Sequence, residues 1–317
     1  MKIIVTGGAG FIGSHLTRKL IQAQHEVLII DELHPYYSRQ RKREQLAFIE
    51  EAGSFMFKEL SLLKDAEEVL DVFAAFNADC VVHLAALPGV SYSLEAPGEY
   101  VDYDIKATAN LLKFSGESHV KHVVFASSSS VYGDQANEPL KEEMATGKVI
   151  SPYAAAKFGA ESFCHAFASM YKYDMTILRF FTVYGPWGRP DMAISKFISH
   201  LMKDEEITVF GSGTSRDYTY IDDCVEGIYA SIKCGKGTNI INIGSSQPVS
   251  IEELVEGLAD HFPNMKINYS GFRKGDVNAT WADLSRAKEL LNYVPKVSFK
   301  EGLAKTVGWA KNNEKIL

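Results

Sequence analysis

The chain has 317 residues, a hydrophobic fraction of 46% and a formal net charge of −7 at pH 7. A chain of this length exceeds a typical single domain, so we expect two lobes that share an interface. The negative charge argues against nucleic acid as the main partner. Apolar runs are only a few residues long, and none precedes Thr6 at the length of a leader. We therefore expect neither a membrane span nor a signal peptide.

The four cysteines form no CxxC pair, and two of them lie in apolar stretches. This usage is typical of reduced packing residues, so we expect a cytoplasmic protein without a metal site. The cysteines are Cys80, Cys164, Cys224 and Cys234.

The first fourteen residues combine an apolar strand with a glycine-rich turn. The β-branched run at 3–5 is typical of a strand buried on both faces. An apolar stripe at helical spacing begins at Ile12, and the turn before it has the spacing GxxGxxG, with Gly7, Gly10 and Gly13. Such a turn lets backbone N–H groups approach a pyrophosphate at the helix N-terminus. The alternative is a glycine-rich turn between core elements that binds nothing.

A second strand at 26–30 ends in Asp31, eighteen residues after Gly13. An acidic side chain there binds the adenosine ribose hydroxyls and repels a 2′-phosphate, so we expect NAD rather than NADP. A third strand is predicted at 55–57. A fourth strand at 80–86 ends in small residues, against which a flat cofactor can lie. The residues predicted to contact NAD from these segments are Gly7, Gly10, Phe11, Ile12, Gly13, Asp31, Leu84, Ala85 and Ala86.

Three further segments of the first half have a structural interpretation. The basic run at 39–43 is followed by glutamates, so a solvated helix face is preferred to a nucleic-acid patch. His83 lies inside the apolar fourth strand, where a hydrogen-bonded core histidine is preferred to a catalytic one. A long helix is predicted over 99–115, with Ala107, Leu111 and Leu112 on its buried face.

The strand at 122–126 runs into four serines, Ser127–Ser130. Because α/β sheets bind ligands at the carboxyl ends of their strands, active-site hydroxyls are preferred to a flexible linker. The segment 151–157 has Pro152 near its start and three alanines, which predicts a helix. Tyr153 and Lys157 are then i, i+4 neighbours on one face. Such a pair is common by itself, but here it indicates an active site because it follows a glycine turn and a strand that ends in serines.

Turn-forming residues after the strand at 176–181 place the predicted lobe boundary near 180. We expect an α/β fold, with a Rossmann-type doubly wound parallel sheet in 1–180 and a smaller mixed α/β C-terminal substrate lobe in 181–317. Some C-terminal segments are allowed to pack back onto the first lobe. In the second lobe we expect strands at 207–210 and 239–243, helices near 193–203 and 222–233, and a helix that starts at Ser250 with a capping box to Glu253.

Together these residues resemble the extended short-chain dehydrogenase/reductases over essentially the whole chain. Within that superfamily the chain is most similar to nucleotide-sugar 4-epimerases, particularly the UDP-glucuronate 4-epimerases. The specific match is the segment from Arg179 to Ala193, supported by 31–37, 88–93 and 100–102. The resemblance implies a UDP-sugar substrate, a homodimer, and C4 inversion through transient oxidation by tightly bound NAD.

The resemblance also implies residue roles. Tyr153 is the catalytic base, Lys157 holds the nicotinamide ribose, and Ser128 is the hydroxyl partner at the reacting centre. Because a tyrosine in water ionises near pH 10, the base needs the positive charge of Lys157 and of the nicotinamide ring. The implied substrate contacts are Ser127, Ser129, Ser130 and Thr182 in the sugar pocket, Arg189 near the sugar, and Arg216, Arg273 and Asp276 at the diphosphate and uridine.

The chain departs from the resembled pattern at two positions. Ser61 stands where an aspartate commonly contacts adenine, and Asp104 where an asparagine is more usual. At the strand tip, related dehydratases carry an Asp-Glu pair and related decarboxylases a glutamate, whereas this chain has only serines, which argues against both chemistries. UDP-glucose 4-epimerase is the main alternative, followed by a UDP-uronate decarboxylase and, from another class, a non-catalytic dinucleotide sensor.

Overall fold

The computed structural model of the chain describes residues 1–135, 138–234, 236–271 and 279–316. In these ranges the strands are β1 Lys2–Thr6, β2 Glu26–Ile30, β3 Met56–Lys58, β4 Cys80–His83, β5 His122–Ser128, β6 Asp174–Phe180, β7 Thr182–Tyr184, β8 Ile207–Phe210, β9 Ser215–Tyr220, β10 Thr238–Ile243, β11 Pro248–Ser250, β12 Ile267–Ser270 and β13 Ala279–Thr280.

The helices of the same ranges are α1 Phe11–Gln22, α2 Arg39–Glu50, α3 Ala66–Phe76, α4 Val90–Glu95, α5 Pro97–Tyr100, α6 Ala107–Glu117, α7 Pro152–Tyr171, α8 Ala193–Leu201, α9 Ile221–Ile232, α10 Ile251–Ala259, α11 Ser285–Leu291 and α12 Phe299–Asn312. A π-helical segment, Val101–Lys106, joins α5 to α6, and short 3₁₀ turns lie at Ser129–Tyr132, Glu142–Met144 and Glu314–Ile316.

Within the described residues, seven parallel strands form the main sheet in the order β10-β6-β5-β4-β1-β2-β3. The reversal of strand order beside β1 is the topological switch of a doubly wound Rossmann sheet, and ligands bind there at the carboxyl ends of the strands. The predicted α/β fold class is confirmed.

Both faces of the sheet are covered, because alternate residues of each strand point to opposite sides. Ile3 and Val5 pack into the core that α1 shares with the second lobe, while Ile4 and Val81 pack into the core that contains α3, α6 and α7. This two-sided burial explains the continuous apolar runs of the strands.

The second half of the chain forms a smaller lobe and also returns to the first. Strands β11, β9 and β13 form a small sheet that β7 joins through β9, and β12 pairs with β8. Strand β10, however, is the edge strand of the main sheet, parallel to β6. C-terminal segments therefore do pack back onto the first lobe, and a division at residue 180 stays a prediction.

The interpretation of residues 39–43 as a solvated helix face is wrong for two of its members. Arg39 and Arg43 are exposed on α2, but Arg41 and Lys42 are buried. Arg41 lies with its guanidinium 5.7 and 5.9 Å from the ring centres of Trp187 and Trp309. Both aromatic partners come from the second half of the chain, so the pattern of charges within 39–43 does not predict this contact.

The strand predicted at 80–86 ends at His83, so Leu84, Ala85 and Ala86 lie in the loop that follows β4. The other strands and helices predicted with both ends lie within about two residues of the observed ones, and the capping box is present. Ser250 Oγ accepts the Glu253 amide at 3.0 Å, and Glu253 Oε2 accepts the Ser250 amide at 2.7 Å. The predicted helix at 99–115 is interrupted by the π-helical segment. In the described part of the chain, we find no helix with the length and apolarity needed to cross a membrane.

Candidate active site

A single cavity of about 980 Å³ runs along the carboxyl ends of the main-sheet strands. Its volume is that of a site for a large ligand. It brings together the glycine turn, the ends of β2, β4, β5 and β6, the start of α7, and residues from the segment 181–200. The predicted site residues that line it are Gly7, Gly10, Phe11, Ile12, Gly13, Asp31, Leu84, Ala85, Ala86, Ser127, Ser128, Ser129, Ser130, Tyr153, Lys157, Thr182 and Arg189.

Three predicted substrate contacts are not brought to this cavity by the described residues. Arg216 lies on β9, where its Nη1 donates to the Ser215 carbonyl at 2.8 Å, and it is not among the residues that line the cavity. Arg273 and Asp276 lie outside the described residues. The roles of all three stay predictions.

The glycine turn packs too closely for side chains. A Cβ on Gly13 would lie 2.2 Å from the Gly7 carbonyl oxygen, and a Cβ on Gly7 would lie 2.6 Å from the Ala85 amide nitrogen. Gly7 also has a φ of +72°, a conformation that favours glycine. The bare backbone of the turn therefore faces the cavity at the N-terminus of α1, as a pyrophosphate site requires.

Asp31 is held in place at the end of β2. Its Oδ2 accepts the Ala9 amide at 3.1 Å and its Oδ1 accepts the Leu33 amide at 2.9 Å. The Lys42 Nζ lies 3.8 Å from Oδ1, and Lys42 lines the same cavity. An oriented carboxylate beside a glycine turn fits the adenosine ribose of a dinucleotide. Lys42 is not among the site residues predicted from the sequence, because its burial depends on the tertiary fold.

The serine tip contains hydroxyls of two kinds. Ser127 Oγ donates to Glu161 Oε1 at 2.5 Å, so this hydroxyl belongs to the protein interior although the residue borders the cavity. Ser128 Oγ accepts the Ser130 amide and lies 3.2 Å from Ser130 Oγ. The pair Ser128–Ser130 therefore presents linked hydroxyls at the end of β5.

A buried ion pair supports this tip from beneath. Arg179 donates to both carboxylate oxygens of Glu161, at 2.9 and 2.8 Å, and to the Glu142 carbonyl at 2.6 Å. Burial disfavours the charged form of Arg179, but the hydrogen bonds that it donates to Glu161 outweigh this effect and raise the pKa of Arg179. A bidentate pair of this kind holds β6, α7 and the serine tip in fixed relation. Arg179 is the first residue of the segment 179–193, which carries the specific resemblance to 4-epimerases. In the structure its role is to hold neighbouring elements together.

Tyr153 and Lys157 lie on the first turns of α7, as predicted. Ser151 caps the helix by accepting the Ala154 amide at 3.2 Å, and Pro152 occupies the first turn. Lys157 is buried, and its Nζ donates to the Ala126 carbonyl at 3.2 Å. Both side chains line the cavity next to the serine tip. A tyrosine beside a buried ammonium is an arrangement suited to general acid–base chemistry.

At the far end of the cavity, Arg189 forms an ion pair with Asp191. Arg189 Nε donates to Asp191 Oδ1 at 3.1 Å, and the Tyr36 hydroxyl donates to Asp191 Oδ2 at 3.2 Å. Burial, followed by the Asp191 charge, raises the pKa of Tyr36 to about 12. Tyr36 therefore acts as a neutral donor, and much of the Arg189 charge is compensated within the protein.

His83 is a satisfied core histidine, as predicted. Its Nδ1 lies 2.7 Å from Thr6 Oγ1, and its Nε2 lies 3.0 Å from Thr108 Oγ1. Burial, and then the Lys157 charge, lower the pKa of His83 to about 3. Both ring nitrogens are used by threonines, which leaves neither for proton transfer with a ligand.

Comparisons with known proteins agree with this geometry. The chain is 40% identical over 317 residues to the UDP-glucuronate 4-epimerase of Thermodesulfobacterium geofontis, covering 99% of this chain and 97% of that one. Among solved structures, it is similar to a UDP-glucuronic acid 4-epimerase from Bacillus cereus in complex with UDP-glucuronic acid and NAD. The TM-score is 0.91 at 35% identity, over 98% of this chain and 99% of that one.

A further similar structure is a UDP-glucose 4-epimerase from Thermotoga maritima with UDP-glucose. Its TM-score is 0.90 at 31% identity, over 99% of this chain and 100% of that one. The sequence pattern of the NAD dependent epimerase/dehydratase family matches residues 3–244. The chain therefore belongs to the NAD dependent epimerase/dehydratase family.

Proposed function

We propose that this chain is an NAD-dependent UDP-glucuronate 4-epimerase that interconverts UDP-glucuronate and UDP-galacturonate. The observation that carries the proposal is the shared cavity, which joins the glycine turn, the Tyr153–Lys157 pair and a tip of neutral hydroxyls. The names of the relatives from Thermodesulfobacterium and Bacillus cereus support the same reaction.

The residues that would hold NAD are the glycine turn, Asp31 and the small residues after β4. The turn fits a pyrophosphate because Gly7 and Gly13 leave no room for a Cβ. Asp31 fits unmodified ribose hydroxyls because its carboxylate is already oriented by two amides. When bound, NAD supplies a reversible hydride acceptor for C4 of the sugar.

Tyr153 would take the proton of the C4 hydroxyl and later return it. The Lys157 ammonium favours the phenolate form of Tyr153 and can donate to the nicotinamide ribose. Ser128 would hydrogen-bond the same sugar oxygen and orient it. Inversion requires the 4-keto sugar to turn over between the two hydride transfers, so a second set of contacts must retain the nucleotide. We assign this retention to Arg216, Arg273 and Asp276.

A uronic acid adds the risk of decarboxylation, because the C6 carboxylate is β to the C4 ketone. Hydroxyls from Ser129, Ser130 and Thr182 would hold this carboxylate in an unreactive orientation without burying a counter-charge. Charge-assisted hydrogen bonds of this kind are stronger than neutral ones. Ser127 was included in this set by resemblance; its hydroxyl is engaged by Glu161, so its contribution would come through its backbone.

UDP-glucose 4-epimerase is the second candidate, favoured by the similarity to the Thermotoga maritima structure. The same catalytic residues would serve a neutral hexose. The two candidate substrates therefore differ only at C6, which is a carboxylate in the uronic acid and a neutral group in the hexose. A UDP-uronate decarboxylase is disfavoured because an added acid or base is missing from the serines at the tip of β5.

The decisive experiment is turnover of the purified protein on a panel of UDP-sugars in heavy water, followed by proton NMR. We expect UDP-glucuronate to be converted reversibly to UDP-galacturonate, with protium retained at C4 and pentose a minor product. The Tyr153→Phe protein is the matched control, and its kcat should fall by roughly 10²–10⁴. A strong preference for UDP-glucose would refute the uronate assignment, and solvent deuterium at C4 would refute the hydride route.

We also propose that the enzyme acts as a cytoplasmic homodimer. Free thiols at all four cysteines are compatible with a reducing compartment. Exposed apolar side chains on and beside α7, including Phe163, Met170 and Val101, offer a surface for a second copy.

A further inference from the structure

Asp104 is a buried carboxylate directly behind the Tyr153–Lys157 pair. It lies in the π-helical segment Val101–Lys106, and the residue is 1% exposed. Oδ1 accepts the Leu87 amide at 2.7 Å, in the segment that follows the cofactor-facing end of β4. Oδ2 has no hydrogen-bond partner among the described residues and lies 3.8 Å from Lys157 Nζ.

A buried carboxylate oxygen without a hydrogen bond needs a cation close by. Burial raises the pKa of Asp104 to about 6, while the Lys157 charge acts in the opposite direction. The side chain is therefore ionised above that pH, and Lys157 is the cation nearest to it. Lys157 itself is 4% exposed, so water screens this pair little.

The other titratable groups around Asp104 do not compete for this role. Tyr100, on the preceding helix, has its pKa raised by burial and stays neutral. His83, on β4, has its pKa lowered to about 3 by burial and is also neutral. Tyr153, on α7, packs edge-on against Tyr100 with ring centres 6.0 Å apart. Asp104, Lys157 and Tyr153 thus form the charge-bearing set.

We propose that Asp104 is a positioning residue that acts as the counter-ion of Lys157 and thereby sets the pH range of the reaction. The inference rests on the proposed function, since it assigns to Asp104 a role in the acid–base chemistry of Tyr153. The carboxylate partly cancels the potential of the Lys157 ammonium at the tyrosine oxygen. The pH range is therefore higher than that of a site with an uncompensated lysine.

The sign of the effect follows from the charges. Without the Asp104 charge, Lys157 favours the phenolate more strongly, so the acid limb of kcat against pH moves down. A neutral side chain at 104 should therefore shift the acid limb of the profile to lower pH by about half to one unit.

The test compares Asp104→Asn with Asp223→Asn in the NAD-loaded enzyme. The asparagine at 104 keeps an acceptor for the Leu87 amide and removes the charge. Asp223 is a matched control, because it is 5% exposed, accepts the Lys296 and Val297 amides at 2.9 and 3.0 Å, and does not line the cavity. We expect the profile of Asp104→Asn alone to move down, while Asp223→Asn affects thermal stability only. An unchanged profile for Asp104→Asn overturns the proposal.

A second measurement needs neither a variant at 104 nor turnover. In Lys157→Met the carboxylate loses its cation, so Asp104 should take up a proton at pH 7. Infrared difference spectra against the wild type should show a new protonated-carboxyl band, and its absence overturns the proposal. If the wild type has no activity on any UDP-sugar while this band is seen, the proposed function fails and the ion pair stands.

Discussion

At the residue scale, the site contains ionisable side chains whose charge state is set by their surroundings. His83 illustrates this. Thr108 Oγ1 donates to the Asp104 carbonyl at 2.6 Å, so it can only accept from His83, which places the ring proton on Nε2. Nδ1 then accepts from the Thr6 hydroxyl. A positively charged imidazole would have to reverse the Thr6 hydrogen bond and would add a second cation near Lys157.

Because His83 is neutral in the folded protein, the stability of the protein should depend on pH. His83 has a folded pKa of about 3, below the value of about 6.5 expected when unfolded. Between these values the unfolded chain binds more protons, so the free energy of unfolding rises with pH and is fully regained above 6.5. When the pH falls from 7 to 5, the low folded pKa of His83 should reduce the free energy of unfolding by about 2 kcal/mol.

Urea unfolding of the wild type and of His83→Gln at these two pH values checks the prediction. The pH-dependent loss should be smaller in His83→Gln by about 2 kcal/mol. His165→Gln is the control, because His165 is exposed on α7. Equal losses in the wild type and His83→Gln would show that His83 is protonated in the folded protein.

At the element scale, the glycine turn and the start of α7 could be predicted because their interactions span only a few residues. The spacing of Gly7, Gly10 and Gly13 is read directly from the sequence, as is the proline in the first turn of α7. Close packing of α1 on the turn gives this spacing its physical reason. That packing leads to a prediction about Gly13.

Gly13→Ala should prevent α1 from seating on the turn, because the added Cβ would lie 2.2 Å from the Gly7 carbonyl oxygen. We expect loss of NAD binding by at least tenfold and a lower melting temperature. Gly308→Ala is the control, since Gly308 also lies in a helix and has nothing within 4 Å of its added Cβ. That change should stabilise the chain slightly, by about 0.5–1 kcal/mol. Calorimetric titration with NAD would contradict the packing argument if Gly13→Ala bound normally.

Other elements could not be predicted, because their cause lies far away in the sequence. Arg41 is buried by Trp187 and Trp309, and its Nη2 donates to the Gly188 carbonyl at 2.8 Å. The π-helical segment spans only six residues, which is too short for hydrophobic periodicity to distinguish it from an α-helix. The proposed role of Asp104 depends on the fold of that segment. The presence of aspartate instead of asparagine at 104 is therefore visible in the sequence, but its consequence is not.

At the scale of the whole molecule, the two lobes are tied together by elements that cross between them. Strand β10 completes the main sheet, Lys19 on α1 forms an ion pair with Glu226 on α9, and His15 Nε2 lies 3.0 Å from the Pro186 carbonyl. Neither of the two side-chain contacts involves a residue that lines the cavity, so the two halves of the chain are fixed to each other outside the site. In the proposed reaction, the sugar would therefore turn over within the cavity rather than by separation of the two halves.

The outer surface of α7 leads to the last prediction. Phe163 is 40% exposed, Met170 is 68% exposed, and Val101, on the adjoining π-helical segment, is 54% exposed. Such a patch on a surface helix is typical of a protein interface, and a two-fold axis would pair it with itself. Phe163→Glu combined with Met170→Glu would place four carboxylates in that interface. We expect light scattering to show a dimer for the wild type and a monomer for this variant.

The matched control for this surface is Val294→Glu, because Val294 is 55% exposed and lies outside α7. It should remain dimeric, since it adds a charge to an exposed apolar position elsewhere. A dimer that survives both substitutions on α7 would place the interface on another surface. Because α7 carries Tyr153 and Lys157 on its other side, loss of the dimer should also lower kcat, whereas Val294→Glu should not.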